Sequence, residues 1–268
     1  MKERKYGYIP SPKDLRDYKM KSKINKSIQL PTEFVVKHSH IKDQGLVGSC
    51  VAHAISEVLE TNDNTNYSTG WIYGYRPFGY YQGEGMITSQ ALKTITKLGA
   101  VEEVDFSMNV EMNRAKEEVD SRLDLLKLKA SDHKVKSYAR LNSIYEIKCA
   151  LFSSNKPVLI AIKVGENGLE LDDKGIALIP DAYSGGHQLV CYGWNEDGLL
   201  IQNSWGESWG KNGTFILPIT YPISEAWLIK FEGDKEDSTK IVKPRLFLLR
   251  KFIMWLIKLI KKINSKRR

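Results

Sequence analysis

A cysteine that opens a helix is the first residue of this chain whose type and place could do chemistry. Cys50 follows Gln44-Gly45-Leu46-Val47-Gly48-Ser49, and behind it the apolar positions Val51, Ala54, Ile55, Val58 and Leu59 recur at helical spacing. Ser49 suits the N-cap, so the pattern predicts Cys50 in the first turn, with Gly45 and Gly48 allowing a tight turn ahead of it. A helix N-terminus favours an anion. With an imidazolium nearby it draws a thiol pKa from about 8.5 towards about 3.5 to 7.5, where the nucleophilic thiolate prevails at neutral pH. The competing reading of a lone cysteine is an inert core thiol. Two further stretches bear on that choice. One is Gly185-Gly186-His187, which leads into an apolar strand; the other is Asn203-Ser204-Trp205-Gly206. His187 lies 137 residues after Cys50 and Asn203 lies 153 after it.

The stretch Gln44 to Cys50 resembles the nucleophile motif of papain-like cysteine peptidases, Q-G-x-C-G-S-C-W. The histidine before a strand and the later Asn-Ser-Trp-Gly follow in that family's order, at close to its spacing of about 130 to 150 residues. The resemblance covers roughly residues 30 to 232. It implies that Cys50 is the nucleophile, that His187 is the base and that Asn203 orients the imidazole under the cover of Trp205. Gln44 would then donate a side-chain N–H, beside the Cys50 backbone N–H, to an oxyanion. Gly83, Gly85, Gly186 and Trp205 would line the substrate site. Taken alone, His187 could be a hydrogen-bonded strand histidine, Asn203 a turn former and Gln44 a surface polar residue. Several positions depart from the family: Val47 for its extra cysteine, Val51 for the tryptophan after the nucleophile, His53 for an aromatic, and Gly186 where secreted members carry Asp or Asn. No departure removes a catalytic group, and the implied activity is hydrolysis of peptide bonds through an acyl-enzyme.

To position these groups the chain must build two halves. Ser89 to Leu98 reads as a helix ended by Gly99, and the charged run Glu111 to Lys129 as a helix or surface insertion. From Lys134 the texture changes: Val135 to Arg140 is strand-like, Ile144 to Phe152 is helical, and Pro157 to Val164 is a strong strand. Short strands follow at 187–192, 198–202 and 214–217. The expectation is an α+β, papain-like fold over 31–232, with a helical half at about 44–130, a β half at about 131–232 and the site in the cleft between them. Residues 1–30 read as a polar arm, with none of the long helical prosegment of secreted members, so control is expected to lie elsewhere. Residues 233–245 read as an acidic linker and 246–263 as a helix.

The 268 residues carry a net charge of +8, but ten of the Lys and Arg fall within 243–268, where no acid occurs. The preceding body therefore has 30 basic against 32 acidic residues, which argues against nucleic acid as a partner. Three cysteines give no disulfide framework, and the N-terminus has no apolar core for a secretory signal, so a cytoplasmic protein is expected. On a helical wheel Arg250, Lys251, Lys258, Lys261 and Lys262 share one third, with Leu, Ile, Phe and Trp filling most of the rest. The longest apolar run, Phe252 to Ile257, is too short to span a bilayer. A helix with that basic face suits the surface of an anionic membrane, its alternative being a terminal helix docked on protein. No cofactor or metal is expected: His53 and Glu57 share a helical face but lack further ligands, and His38 and His40 are assigned no role. The competing functions are a silent papain-like binding protein and a membrane-active protein acting through the tail.

Overall fold

The computed structural model describes residues 5–14, 19–20, 29–76, 84–107, 112–234 and 241–242. Helix α1, Cys50–Asp63, is the element around which the others are laid. Its residues 50 through 60 are all buried, because the helix lies between a sheet on one side and helices α2 (Thr69–Gly74) and α3 (Thr88–Lys97) on the other. A helix enclosed this way must find partners for its polar residues. Ser56 Oγ donates to the Tyr67 carbonyl at 2.6 Å, and Glu60 takes the Lys42 ammonium at 2.7 Å. Ser49 occupies the N-cap as expected but its hydroxyl does not cap; it lies 3.2 Å from His53 Nδ1 instead. Asn64 ends the helix in the left-handed conformation at φ 61°, which Asn tolerates better than most residues.

Among the described residues, eleven strands complete the fold. Strand β1 (Tyr8–Ile9) pairs in parallel with β4 (Met86–Ile87). The other nine are β2 (Lys19–Met20), β3 (Phe34–Val35), β5 (Ser137–Leu141), β6 (Val158–Val164), β7 (Gly185–Trp194), β8 (Leu199–Gln202), β9 (Thr214–Leu217), β10 (Ile223–Lys230) and β11 (Ile241–Val242). They form one sheet in the order β11-β2-β5-β10-β6-β7-β8-β9, with β3 on β7. Helices α4 (Met112–Ser121) and α5 (Leu123–Ala130) replace the single charged run, and α6 (Ile144–Ser154) lies on the far side of the sheet.

The period of two along each strand divides the core. Leu159 and Ala161 of β6 face the cluster built on Ile55, Trp71 and Leu92, whereas Val158, Ile160 and Ile162 face Ile147, Leu151 and Trp194. One core is thus shared by the helices and a sheet face, and the second lies beneath the opposite face. This α+β arrangement brings the N-terminal end of α1 against the start of β7, where Gln188 N–H meets the Cys50 sulfur at 3.5 Å. Strand β10 had no counterpart among the predicted strands although it is central, lying between β5 and β6. Residues 246–263 lie outside the described residues.

Candidate active site

Four sequence-predicted residues meet at one point, and each is carried there by a different segment. Cys50 is the first residue of α1, His187 is the third residue of β7, Asn203 follows β8 directly, and Gln44 sits on the turn before α1. All four are buried. His187 Nε2 lies 2.8 Å from Asn203 Oδ1, which also accepts the Ser204 backbone N–H at 2.8 Å. An oxygen that accepts from both sides sets the tautomer: Nε2 carries the hydrogen, and Nδ1 keeps a bare lone pair. That Nδ1 is buried with no hydrogen-bond partner among the described residues, as a nitrogen reserved for a proton transfer would be. Trp205 stacks on the imidazole at 4.7 Å and 24°, shielding the His–Asn hydrogen bond from water.

Gln44 is fixed by residues that the sequence reading had not singled out. Its backbone N–H donates to the Ser204 carbonyl at 2.9 Å, and its Oε1 accepts the Ser204 hydroxyl at 2.9 Å. Ser204 therefore ties the nucleophile turn to the loop that carries Asn203. With Oε1 so engaged, Nε2 is the amide atom free to meet a carbonyl, and it donates to Val47 O at 2.9 Å and to Lys5 O at 3.1 Å.

That last contact shows that the N-terminal arm crosses the site. Tyr6 packs edge-on to His187 at 5.8 Å and lies 6.0 Å from Trp205. Gly7 lies on Gly48 so closely that a Cβ there would come within 1.8 Å of the Gly48 carbonyl oxygen. The Gly7 carbonyl accepts the Met86 N–H at 2.7 Å, opening the β1–β4 pairing. Gly186 gives the Tyr8 ring room that a Cβ, 2.5 Å from it, would remove. Gly85 takes φ +108°, which favours glycine, and lies against Gly7 and Ile9; Gly83 lies outside the described residues. Beyond the site the arm is pinned by Ser11, which donates to Glu225 at 2.9 Å and accepts the Ser89 N–H at 3.1 Å. The segment read from the sequence as a polar arm fills the expected substrate cleft, and a cavity of about 620 Å³ lined in part by Arg140, Ile147, Tyr221 and Glu225 contains none of the predicted site residues.

The electrostatics are those of a closed site. Burial pushes the Cys50 thiol up to about 11, against the smaller downward pull of backbone N–H groups from Gln188, Gly7 and Val51. The expectation of a lowered thiol pKa thus does not describe this state: with the arm in place, desolvation outweighs the helix N-terminus. Burial likewise brings His187 down to about 4, opposed by the Asn203 hydrogen bond. Cysteine and histidine are both neutral here. His53 does not hydrogen-bond to Glu57; its Nδ1 faces the Ser49 carbonyl at 3.0 Å, and burial lowers it to about 4. Burial also holds Glu57 well above the usual carboxylate range. Among the described residues no group of three His, Cys, Asp or Glu side chains is arranged to hold a metal ion.

A two-core α+β fold with a thiol at the head of a helix, set against the strand that carries an Asn-paired imidazole, has the layout of a cysteine peptidase. The profile of the papain family cysteine proteases matches residues 30–220, and this chain belongs to that family. An uncharacterised peptidase C1-like protein of Acanthamoeba polyphaga mimivirus is 28% identical over 219 residues, which are 70% of this chain and 68% of the viral one. A cysteine proteinase of Arabidopsis thaliana is 25% identical over 65% of this chain, and the match spans 38% of that longer protein. Among solved structures, xylellain, a cysteine protease from Xylella fastidiosa, superposes with a TM-score of 0.70 at 23% identity, covering 86% of this chain and 98% of that one. A digestive procathepsin proteinase of Tenebrio molitor gives 0.61 at 16% identity, over 85% and 78%.

Proposed function

We propose that this cysteine peptidase cleaves peptide bonds by acyl transfer from a Cys50 nucleophile activated by His187. The observation that carries the reading is the buried His187 Nδ1, which has no hydrogen-bond partner among the described residues: with Nε2–H held by Asn203, it is the ring nitrogen left to take the thiol proton. The thiolate attacks the carbonyl carbon, the imidazolium returns its proton to the leaving amine, and water then hydrolyses the thioester with His187 again as base. Gln44 Nε2 is set to donate to the oxyanion, a contact of a kind worth about 3 to 4 kcal/mol. Because the arm fills the cleft, substrate enters only when residues 5–9 leave it, and the thiol then regains the solvent and helix-terminus field that favour its ionisation. The chemistry uses no cofactor.

The test is labelling by a cysteine-directed epoxide together with hydrolysis of a peptide library. The protein labels at Cys50 and cuts peptides, whereas Cys50→Ala does neither and keeps its thermal midpoint. Cleavage that survives in Cys50→Ala refutes the assignment. A labelled but non-cleaving protein supports a silent binding protein instead.

A second element of the proposal concerns place. The basic amphipathic stretch 246–263 tethers the enzyme to an anionic membrane surface from the cytoplasmic side, a reading supported by the confinement of the excess positive charge to the tail. Among the described residues no helix is long and apolar enough to cross a membrane.

A further inference from the structure

Resting on the peptidase reading above, we propose that Glu84 makes the cleft select a basic side chain, Lys or Arg, on the residue whose carbonyl enters the Gln44 oxyanion position. The arm supplies the template. Lys5 places its backbone carbonyl on Gln44 Nε2 at 3.1 Å and, from the same residue, its ammonium on Glu84 Oε1 at 2.7 Å. A peptide that replaces the arm and puts its scissile carbonyl at that amide brings its own side chain to the same carboxylate.

Three features make Glu84 more than one half of a surface ion pair. Its second oxygen accepts the Gly48 N–H at 3.3 Å, and its Cβ lies 3.2 Å from where a Gly48 Cβ would be, so the carboxylate is braced on the turn that leads into Cys50. It is partly sheltered, its side chain 28% exposed against 56% for Lys5, which strengthens its attraction for an incoming ammonium or guanidinium. The neighbouring cation is already engaged: Arg76 donates to the Gly85 carbonyl at 2.7 Å and lies over the Tyr73 ring at 4.0 Å. Glu84 thus presents one braced oxygen and one outward oxygen at the point where the side chain beside the reacting carbonyl must lie. A glutamate in that position is unpaired and repelled, so selection works by exclusion as well as by attraction.

The full-length protein is assayed with internally quenched peptides that differ only in bearing Lys, Leu or Glu at the residue that donates the scissile carbonyl, the cut being located by mass. The expected order is Lys above Leu by about tenfold in kcat/KM, with Glu slowest, a factor of ten corresponding to ~1.4 kcal/mol. Glu84→Gln brings the Lys-to-Leu ratio close to one, and Glu84→Lys places the Glu peptide above the Lys peptide. Equal rates for Lys and Leu in the wild type, or a ratio untouched by Glu84→Gln, overturn the proposal. A second readout needs no chemistry: Lys5→Glu speeds hydrogen exchange at the Met86 amide that donates to Gly7, and adding Glu84→Lys slows it again. Absence of that restoration also counts against Glu84. Restoration in a protein that cuts no peptide supports the Glu84 contact and refutes the peptidase reading alone.

Discussion

The side-chain amide of Gln44 donates to the backbone carbonyl of Lys5, 39 residues earlier in the chain, at 3.1 Å. The donor proposed for a substrate oxyanion is therefore occupied by the protein's own N-terminal arm. The arm also brings the Gly7 backbone N–H to bear on the Cys50 thiol, where it opposes part of the effect of burial.

Substitution of Gly7 tests that occupation. The Cβ of an alanine cannot share space with the Gly48 carbonyl oxygen 1.8 Å away, so in Gly7→Ala the arm must leave its seat. Epoxide labelling of Cys50 is then expected to speed up by about tenfold, corresponding to roughly 1.4 kcal/mol removed from closure. An unchanged labelling rate would show that the arm does not cover the thiol in solution.

His187 and Asn203 are separable by kinetics. Loss of the base in His187→Ala should lower kcat by about 10² to 10⁴. Asn203→Ala removes the partner that fixes the tautomer and leaves the base in place, so its loss should be the smaller of the two. Kinetics in which Asn203→Ala is the more damaging would mean that the roles are misassigned.

How much of this was written in the sequence depends on how local each feature is. Cys50 at the head of α1, the strand that carries His187 and the strand that ends just before Asn203 follow from periodicity and short motifs, and the structure places these segments side by side with the turn that carries Gln44. Strand β10 was not legible because Ala226 to Ile229 is buried on both faces and so shows no alternation. The clamp by Ser204 was within reach, inside the same Asn-Ser-Trp-Gly motif. The arm was not: its hold on the cleft consists of backbone pairing of Gly7 and Tyr8 with residues some 80 positions later, and of Gly7 and Gly186, whose missing side chains become meaningful only once Gly48 and Tyr8 are seen opposite them. A lowered thiol pKa was read from the helix terminus alone, and no sequence pattern announces that another segment will desolvate it.

Acid should destabilise the fold through its buried imidazoles. His53 and His187 titrate at about 4 when folded, against an ordinary 6.5. Between those values the unfolded chain binds more protons, so stability falls as pH drops from about 6.5 to about 4, by up to ~1.4 kcal/mol per pH unit for each ring. Glu57 acts with the opposite sign: its folded pKa is raised, so its contribution is full below its ordinary 4.5 and is lost as pH rises. His53→Phe isolates the imidazole term. Urea midpoints measured from pH 4 to 7 should fall less steeply towards acid in that variant than in the wild type, and parallel curves would remove His53 from the account.

The tail offers a test in which catalysis and location separate. Residues 243–268 carry ten basic residues and no acid, and the body before them is close to neutral, so the excess positive charge that would draw the protein to an anionic surface lies in this segment. Each basic residue near such a surface contributes about 1 kcal/mol, and each apolar side chain that enters it about 1.5 to 3 kcal/mol. Deleting 243–268 should therefore abolish sedimentation with phosphatidylserine vesicles while leaving hydrolysis of a soluble peptide unchanged. Raising the salt should release the full-length protein only in part, because ionic strength screens the charges and not the apolar face. A full-length protein that ignores the vesicles would exclude the tether. A truncated protein that unfolds would instead identify the tail as a packing element of the body.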